Sequence, residues 1–205
     1  MHSVANTISS IPEKIPVIVA DSSTDNTLSL IPPNIKIVNG GLPAVARNNG
    51  ALKVETEYIL FLDADMDISS VPINLILNDM VANGYDLVTT KILVKGKYNI
   101  LYNLFYYIQK LISRKTPFAP GGFMLFKKDT FDKLNGFNIK DVFAEDYHLS
   151  MKIDPKKFKI HQYPAYTLDR RLKNKGVLYM VKLMLKCFIN RNNDSFYTKE
   201  YNYWK

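Results

Sequence analysis

The chain has 205 residues, 47% hydrophobic and 22% charged, which suits one soluble domain with a proper core; no apolar run is long enough to span a bilayer. Its net charge of +8, with much of the excess from Lys173 onward, points to an anionic partner (phosphorylated substrate, acidic membrane surface or nucleic acid) as readily as to plain solubility. The single cysteine, Cys187, excludes an internal disulfide, and Met1–Ser10 is polar with no signal-peptide core, so a cytoplasmic location, or one peripheral to a membrane, is expected.

Ile15–Ala20 is a short β-rich run, followed by Asp21–Thr27, a turn of Asp, Ser, Thr and Asn. Ser29–Pro33 reads as a connector and Ile35–Val38 as a second strand, closed by Gly40-Gly41. The spacing of Val45, Ala46, Asn49, Leu52 and Lys53 predicts a helix over Pro43–Val54. Tyr58–Leu62 is an uninterrupted apolar run that leads straight into Asp63-Ala64-Asp65-Met66-Asp67. That pattern predicts a buried parallel strand delivering acids to the carboxyl edge of an open α/β sheet, where ligands bind. Carboxylates at i and i+2 of an extended tail point the same way, so Asp63 and Asp65 are expected to share one divalent cation or a ribose. Pro72–Asn83 reads as an amphipathic helix stopped by Gly84, and Asp86–Thr90 as a strand. An aromatic-rich helix follows from Tyr98 to Ile112, then a Pro/Gly loop over Thr116–Gly122. Phe123–Phe126 is strand-like, Asp129–Leu134 a short helix, and Gly136-Phe137 a turn. Glu145–Lys152 should start a helix with its acids in the first turn, where the helix dipole favours them. Gly176–Asn190 predicts a last helix, apolar on one side and lysine-rich on the other. Strands alternating with helices at this spacing mean a doubly wound or related α/β sheet.

The ordered set Val19-Ala20-Asp21-Ser22-Ser23-Thr24-Asp25, Ala46-Arg47-Asn48, Leu62-Asp63-Ala64-Asp65, Gly121-Gly122 and Glu145-Asp146 resembles the family 2 glycosyltransferases of the GT-A fold, from Val17 to near Lys152. The resemblance implies a single GT-A-like α/β domain with a mostly parallel central sheet flanked by helices. Residues 1–90 would form a nucleotide-binding half, 91–170 an acceptor half, and 171–205 a basic amphipathic tail. It implies a metal-dependent inverting enzyme that moves one sugar from a UDP- or GDP-linked donor to a hydroxyl. Asp21 would hydrogen-bond the base, Arg47 line the nucleotide site, Asp63 hold the ribose beside the metal, Asp65 bind Mn²⁺ or Mg²⁺, and Asp146 act as general base. Carboxylates are suitable hard ligands for such an ion, and a carboxylate away from the metal must take the acceptor's proton. The chain departs from the family in opening at the helix that corresponds to Val4–Ile11, without the strand that usually precedes it. Ala20 also stands where the first of two consecutive aspartates is common. The absence of a Gln-x-x-Arg-Trp signature argues for single-residue transfer.

Other readings compete. A degenerate GT-A module would bind nucleotide or a partner without turnover. A haloacid-dehalogenase-like phosphatase would use Asp63 and Asp65, Thr89 or Thr90, and the Glu145-Asp146 pair, but leaves Asp21, Arg47 and Gly121-Gly122 unexplained. Nucleic-acid binding lacks a reading motif. An EF-hand loop fails because Ile68 and Asn74 stand at its glycine and terminal glutamate positions. Asp21 and Asp25 could instead cap a helix near Thr27. Arg170-Arg171 could reach a diphosphate or form a solvated basic turn, and His148 and His161 could be metal ligands or ordinary hydrogen-bonded residues. The tail's Val177, Leu178, Val181, Met184, Leu185, Phe188 and Ile189, with lysines beside them, fit an interfacial helix on an anionic membrane or a core-facing helix with a basic outer side.

Overall fold

A computed structural model describes residues 4–199, apart from the Arg171 side chain; residues 1–3 and 200–205, the ends of the expected domain and tail, lie outside it. The elements run α1 (Val4–Ser9), β1 (Ile18–Asp21), β2 (Lys36–Asn39), α2 (Pro43–Ala51), β3 (Tyr58–Phe61), α3 (Ile73–Asn83), β4 (Leu87–Val94) and α4 (Asn99–Ile112). Then follow β5 (Met124–Lys127), α5 (Lys128–Lys133), α6 (Glu145–Ser150), β6 (Phe158–Thr167), α7 (Arg170–Lys175), α8 (Val177–Ile189) and α9 (Asp194–Tyr197).

The central sheet has the order β3-β5-β4-β6, and β1 and β2 pair in parallel as a separate two-stranded sheet. β4 and β6 are parallel, while β5 lies antiparallel between β3 and β4. Three of the four central strands therefore share a direction, as the α/β alternation predicts, with β5 reversed among them. Alternation along the strands divides the core. Ile59 and Phe61 pack with Phe126, Phe131 and Phe137 on one face, whereas Tyr58 and Leu60 join Ile76, Met80 and Leu125 on the other.

α3 stops at Gly84, whose φ of +63° suits a residue without Cβ. β6 is not legible in the sequence, because Lys159, His161, Gln162 and Pro164 break any apolar alternation. Its pairing with β4 carries a register shift between Thr90 and Lys91, so that Thr90 faces His161 and Lys91 faces Pro164. A bulge is where a sheet tolerates a residue that cannot donate to the ladder. The strand matters because its end brings Thr167 and the start of α7 to the acidic turn after β3.

Candidate active site

Arg47 on α2 is the centre of an ion network. Its side chain is 12% exposed and lies over the Phe137 ring at 5.4 Å. Nη2 donates to Asp63 Oδ1 at 2.7 Å and Nη1 donates to Glu145 Oε1. Burial works against the guanidinium charge, but Asp63, Glu145 and Asp146 outweigh it and hold the pKa above its ordinary value. The neighbouring Asn48 fixes the same region: its Nδ2 donates to Phe137 O at 2.8 Å and its Oδ1 accepts from Phe137 N at 3.0 Å. The Ala46-Arg47-Asn48 segment thus ties α2 to both the strand end and the loop before α6.

Glu145 and Asp146 occupy the first turn of α6, as the sequence predicts. Asp146 is half-buried; its Oδ2 accepts from Gly121 N and its Oδ1 from Tyr147 N, each at 2.7 Å. Burial raises its pKa against the pull of Arg47 and of these two N–H groups. Burial, then the charge of Asp146, also raises Glu145, with Arg47 opposing. A carboxylate oxygen has two acceptor positions, so each oxygen of Asp146 keeps one free. Ala144, the residue before this turn, has φ +52°, a left-handed conformation that costs a residue with Cβ roughly 1–2 kcal/mol. At Gly121 a Cβ would stand 2.3 Å from Arg47 Nη2, so a larger residue there would displace the guanidinium from its two carboxylates.

Asp65 belongs to a different neighbourhood. Its Oδ2 is 2.9 Å from Arg170 Nη2 and its Oδ1 accepts from Thr167 Oγ1 at 3.4 Å. Asp67 beside it accepts from Ser69 and pairs with Lys95 at 3.3 Å. The expectation that Asp63 and Asp65 point the same way is corrected. The strand tail is not extended: Met66 N donates to Asp63 O at 3.2 Å, closing a turn that sends the two carboxylates to separate partners. Asp63 is engaged by Arg47, while Asp65 has a cation, the Arg170 guanidinium, already against it. Among the described residues no group of three His, Cys, Asp or Glu gathers to cage a metal. One carboxylate completed by substrate phosphates and water is nevertheless an ordinary Mg²⁺ arrangement, and Asp65 fits that donor set.

The remaining candidates separate cleanly. Asp21 ends β1 and accepts from Ser23 N and Oγ at 3.2 and 2.8 Å. Asp25 caps the 3-10 turn Asn26–Leu30 by accepting from Thr27 N. Thr89 and Thr90 are buried and donate to Phe123 O and Tyr163 O, which removes the hydroxyl a phosphatase would need. His148 is structural: Nδ1 lies 2.6 Å from Asp141 Oδ2, and its ring stacks on Tyr197 at 4.3 Å. His161 faces Asp79 at 3.3 Å. Sequence reasoning gave Glu145 no role of its own, although a buried arginine demands more than one anionic partner.

The fold resembles solved glycosyltransferase structures. S. aureus TarS 1–349 in complex with UDP-GlcNAc superimposes with TM-score 0.60 at 20% identity, over 80% of this chain and 54% of that one. The mannosyltransferase PcManGT from Pyrobaculum calidifontis, in complex with GDP-Man and Mn²⁺, gives 0.56 at 22% identity, over 77% and 49%. Glucosyl-3-phosphoglycerate synthase from Mycobacterium tuberculosis, in complex with Mn²⁺, UDP and glucosyl-3-phosphoglycerate, gives 0.55 at 14% identity, over 91% and 75%. The chain spans about half the length of the first two. No curated protein sequence matches it. The family model for glycosyl transferase family 2 matches residues 1–134, which include β1, the Arg47 segment and the acidic turn after β3, and the chain belongs to that family.

Proposed function

We propose that the chain transfers a single sugar, with inversion, from a nucleotide-diphosphate-sugar to a hydroxyl acceptor. One observation carries this reading: a buried arginine joins the acidic end of the motif strand to the Glu145-Asp146 turn, so donor-facing and acceptor-facing groups share one rigid network. Asp146, its basicity raised by burial, takes the acceptor's proton as the hydroxyl oxygen attacks the anomeric carbon. The bond to the diphosphate breaks on the opposite face, and its electron pair leaves with the nucleoside diphosphate. Asp21 would contact the base and Asp63, steadied by Arg47, the ribose. A Mn²⁺ or Mg²⁺ ion held by Asp65 and the donor's phosphates would supply charge stabilisation to the departing diphosphate. The similar structures with UDP-GlcNAc, GDP-Man and Mn²⁺ support a nucleotide-sugar donor and a divalent ion. Thermal shift with UDP or GDP, with and without Mn²⁺ or Mg²⁺, tests this. A metal-dependent rise in Tm that Asp65→Ala removes is expected; a rise indifferent to metal or to that change refutes it.

The tail favours a second, compatible reading, an anionic membrane surface as partner. α8 packs inward through Leu183 and Cys187, yet Leu178, Leu185, Phe188 and Ile189 are exposed beside Lys182 and Lys186. Among the described residues no helix is long and apolar enough to cross a membrane, so this helix would lie on the surface. Co-sedimentation with phosphatidylserine vesicles, lost in a variant with Leu185 and Ile189 replaced by serine, is the expected outcome. Equal sedimentation of both proteins would remove the idea.

A further inference from the structure

α4, between β4 and β5, is built inside out. Its buried residues are Tyr106 and Gln109, and none of its six leucines and isoleucines is buried. The polar side serves the protein. Gln109 Nε2 donates to Phe118 O at 2.7 Å, Lys91 of β4 lies over the Tyr106 ring at 5.0 Å, and Ser113, further along the same side, is buried as well. The outer side carries Ile100, Leu104, Tyr107, Ile108 and Leu111, whose steps of three and four residues make one helical face. Ile100 is 83% exposed and Leu111 64%. The stripe runs about 16 Å along the helix, at 1.5 Å per residue. An apolar face gains only by leaving water, so a helix that turns this side outward is made to be covered.

The charge around the stripe says what covers it. From Leu87 to Lys128 the chain has eight lysines and arginines and no acid. Lys97 precedes the helix and Lys110, Arg114 and Lys115 lie at its far end, all exposed. Tyr107, within the stripe, has the amphipathic ring that favours a membrane–water boundary. We propose that α4 lies on an anionic lipid surface, its stripe sunk to the upper acyl chains and these four cations against the headgroups. A bilayer offers an apolar layer and negative charge along the whole helix at once. A second copy of the chain, packed on this face about a two-fold axis, would set cations against cations. The proposal rests neither on the tail helix nor on the transfer reaction, because its observations belong to a different element. Gln109 also joins α4 to the Thr116–Gly122 loop, whose Gly121 N donates to Asp146, so docking would couple the surface to that turn through one loop.

The test uses the 205-residue chain with Leu111→Cys, labelled with the polarity-sensitive fluorophore NBD, and with its natural thiol removed by Cys187→Ala. Vesicles of phosphatidylcholine containing phosphatidylserine should shift the label's emission to the blue, and lipids brominated on their acyl chains should quench it. Pure phosphatidylcholine vesicles should bind at least ~10-fold more weakly, since the cations then lose their counter-charge. Without the label, Ile100→Gln with Leu104→Gln changes only exposed side chains, so far-UV circular dichroism should persist while sedimentation with the phosphatidylserine vesicles weakens at least ~10-fold. No vesicle binding, binding without quenching at position 111, or equal sedimentation of the folded glutamine variant would each overturn the proposal. Quenching at position 111 supports it whatever serine at Leu185 and Ile189 does to sedimentation, so the α4 and α8 readings fail separately. A concentration-dependent dimer that the glutamine changes abolish would give the face to a second copy of the chain and overturn the lipid assignment.

Discussion

Asp63 and Asp65 leave the same strand two residues apart, and their surroundings could hardly differ more. Asp63 joins a guanidinium that is 12% exposed and also holds Glu145, itself 7% exposed; Asp65 pairs with an Arg170 that is 67% exposed. The first arrangement is locked, because withdrawing Arg47 would strand buried carboxylates without a counter-charge. The second can open, since an exposed pair is worth little and water can replace either partner. On the proposed reading, a single turn would supply one carboxylate as scaffold and one as an exchangeable metal ligand. What separates them is the arginine each one meets, buried in one case and exposed in the other, since Asp63 itself is 48% exposed and Asp65 only 25%.

The contrast can be broken experimentally. The largest effect is expected at Asp146, which the locked side holds in place. Asp146→Asn should lower the transfer rate ~100- to 10,000-fold while donor binding persists. In the native protein the rate should fall as pH drops through the raised pKa of Asp146, so the acid limb of the pH profile should lie above the usual carboxylate range. A profile breaking at an ordinary aspartate value would remove Asp146 as the base. Next comes Arg47→Met, which should cost about 3–5 kcal/mol in urea unfolding because Glu145 and its neighbours lose their cation. Arg47→Lys should recover only part of that, since an ammonium cannot bridge two carboxylates as a planar fork does. The smallest effect belongs to the exposed side. Arg170→Ala should change stability by less than about 1 kcal/mol and should strengthen, not weaken, metal-dependent nucleotide binding. If it instead unfolds the protein, the two carboxylates are alike and the division between them fails.

Much of this was readable from the chain, for identifiable reasons. β3 announces itself because both its faces are covered, so every residue can be apolar. Gly84 marks the end of α3 because a left-handed residue is needed there. The resemblance assigned Arg47 to the nucleotide site and Asp146 to the base, but the contact of Arg47 with Glu145 was not legible, since no local pattern joins residues 98 positions apart. β6 stayed hidden because a bulge lets it carry Pro164 and polar residues that no alternation rule admits. The divergence of Asp63 and Asp65 was equally hidden. It depends on one backbone hydrogen bond from Met66, and the i, i+2 rule holds only while the chain stays extended.

The lone thiol of Cys187 has a use of its own. It sits on the inner side of α8, packed with Phe143 and Tyr147 near the acidic turn, and burial, then the charge of Asp146, pushes its pKa up to about 12. Alkylating reagents attack thiolates, so labelling at neutral pH waits for the tail helix to lift away. The rate of that reaction is a built-in clock for how often the wall behind Asp146 opens, readable by mass spectrometry on the unmodified protein.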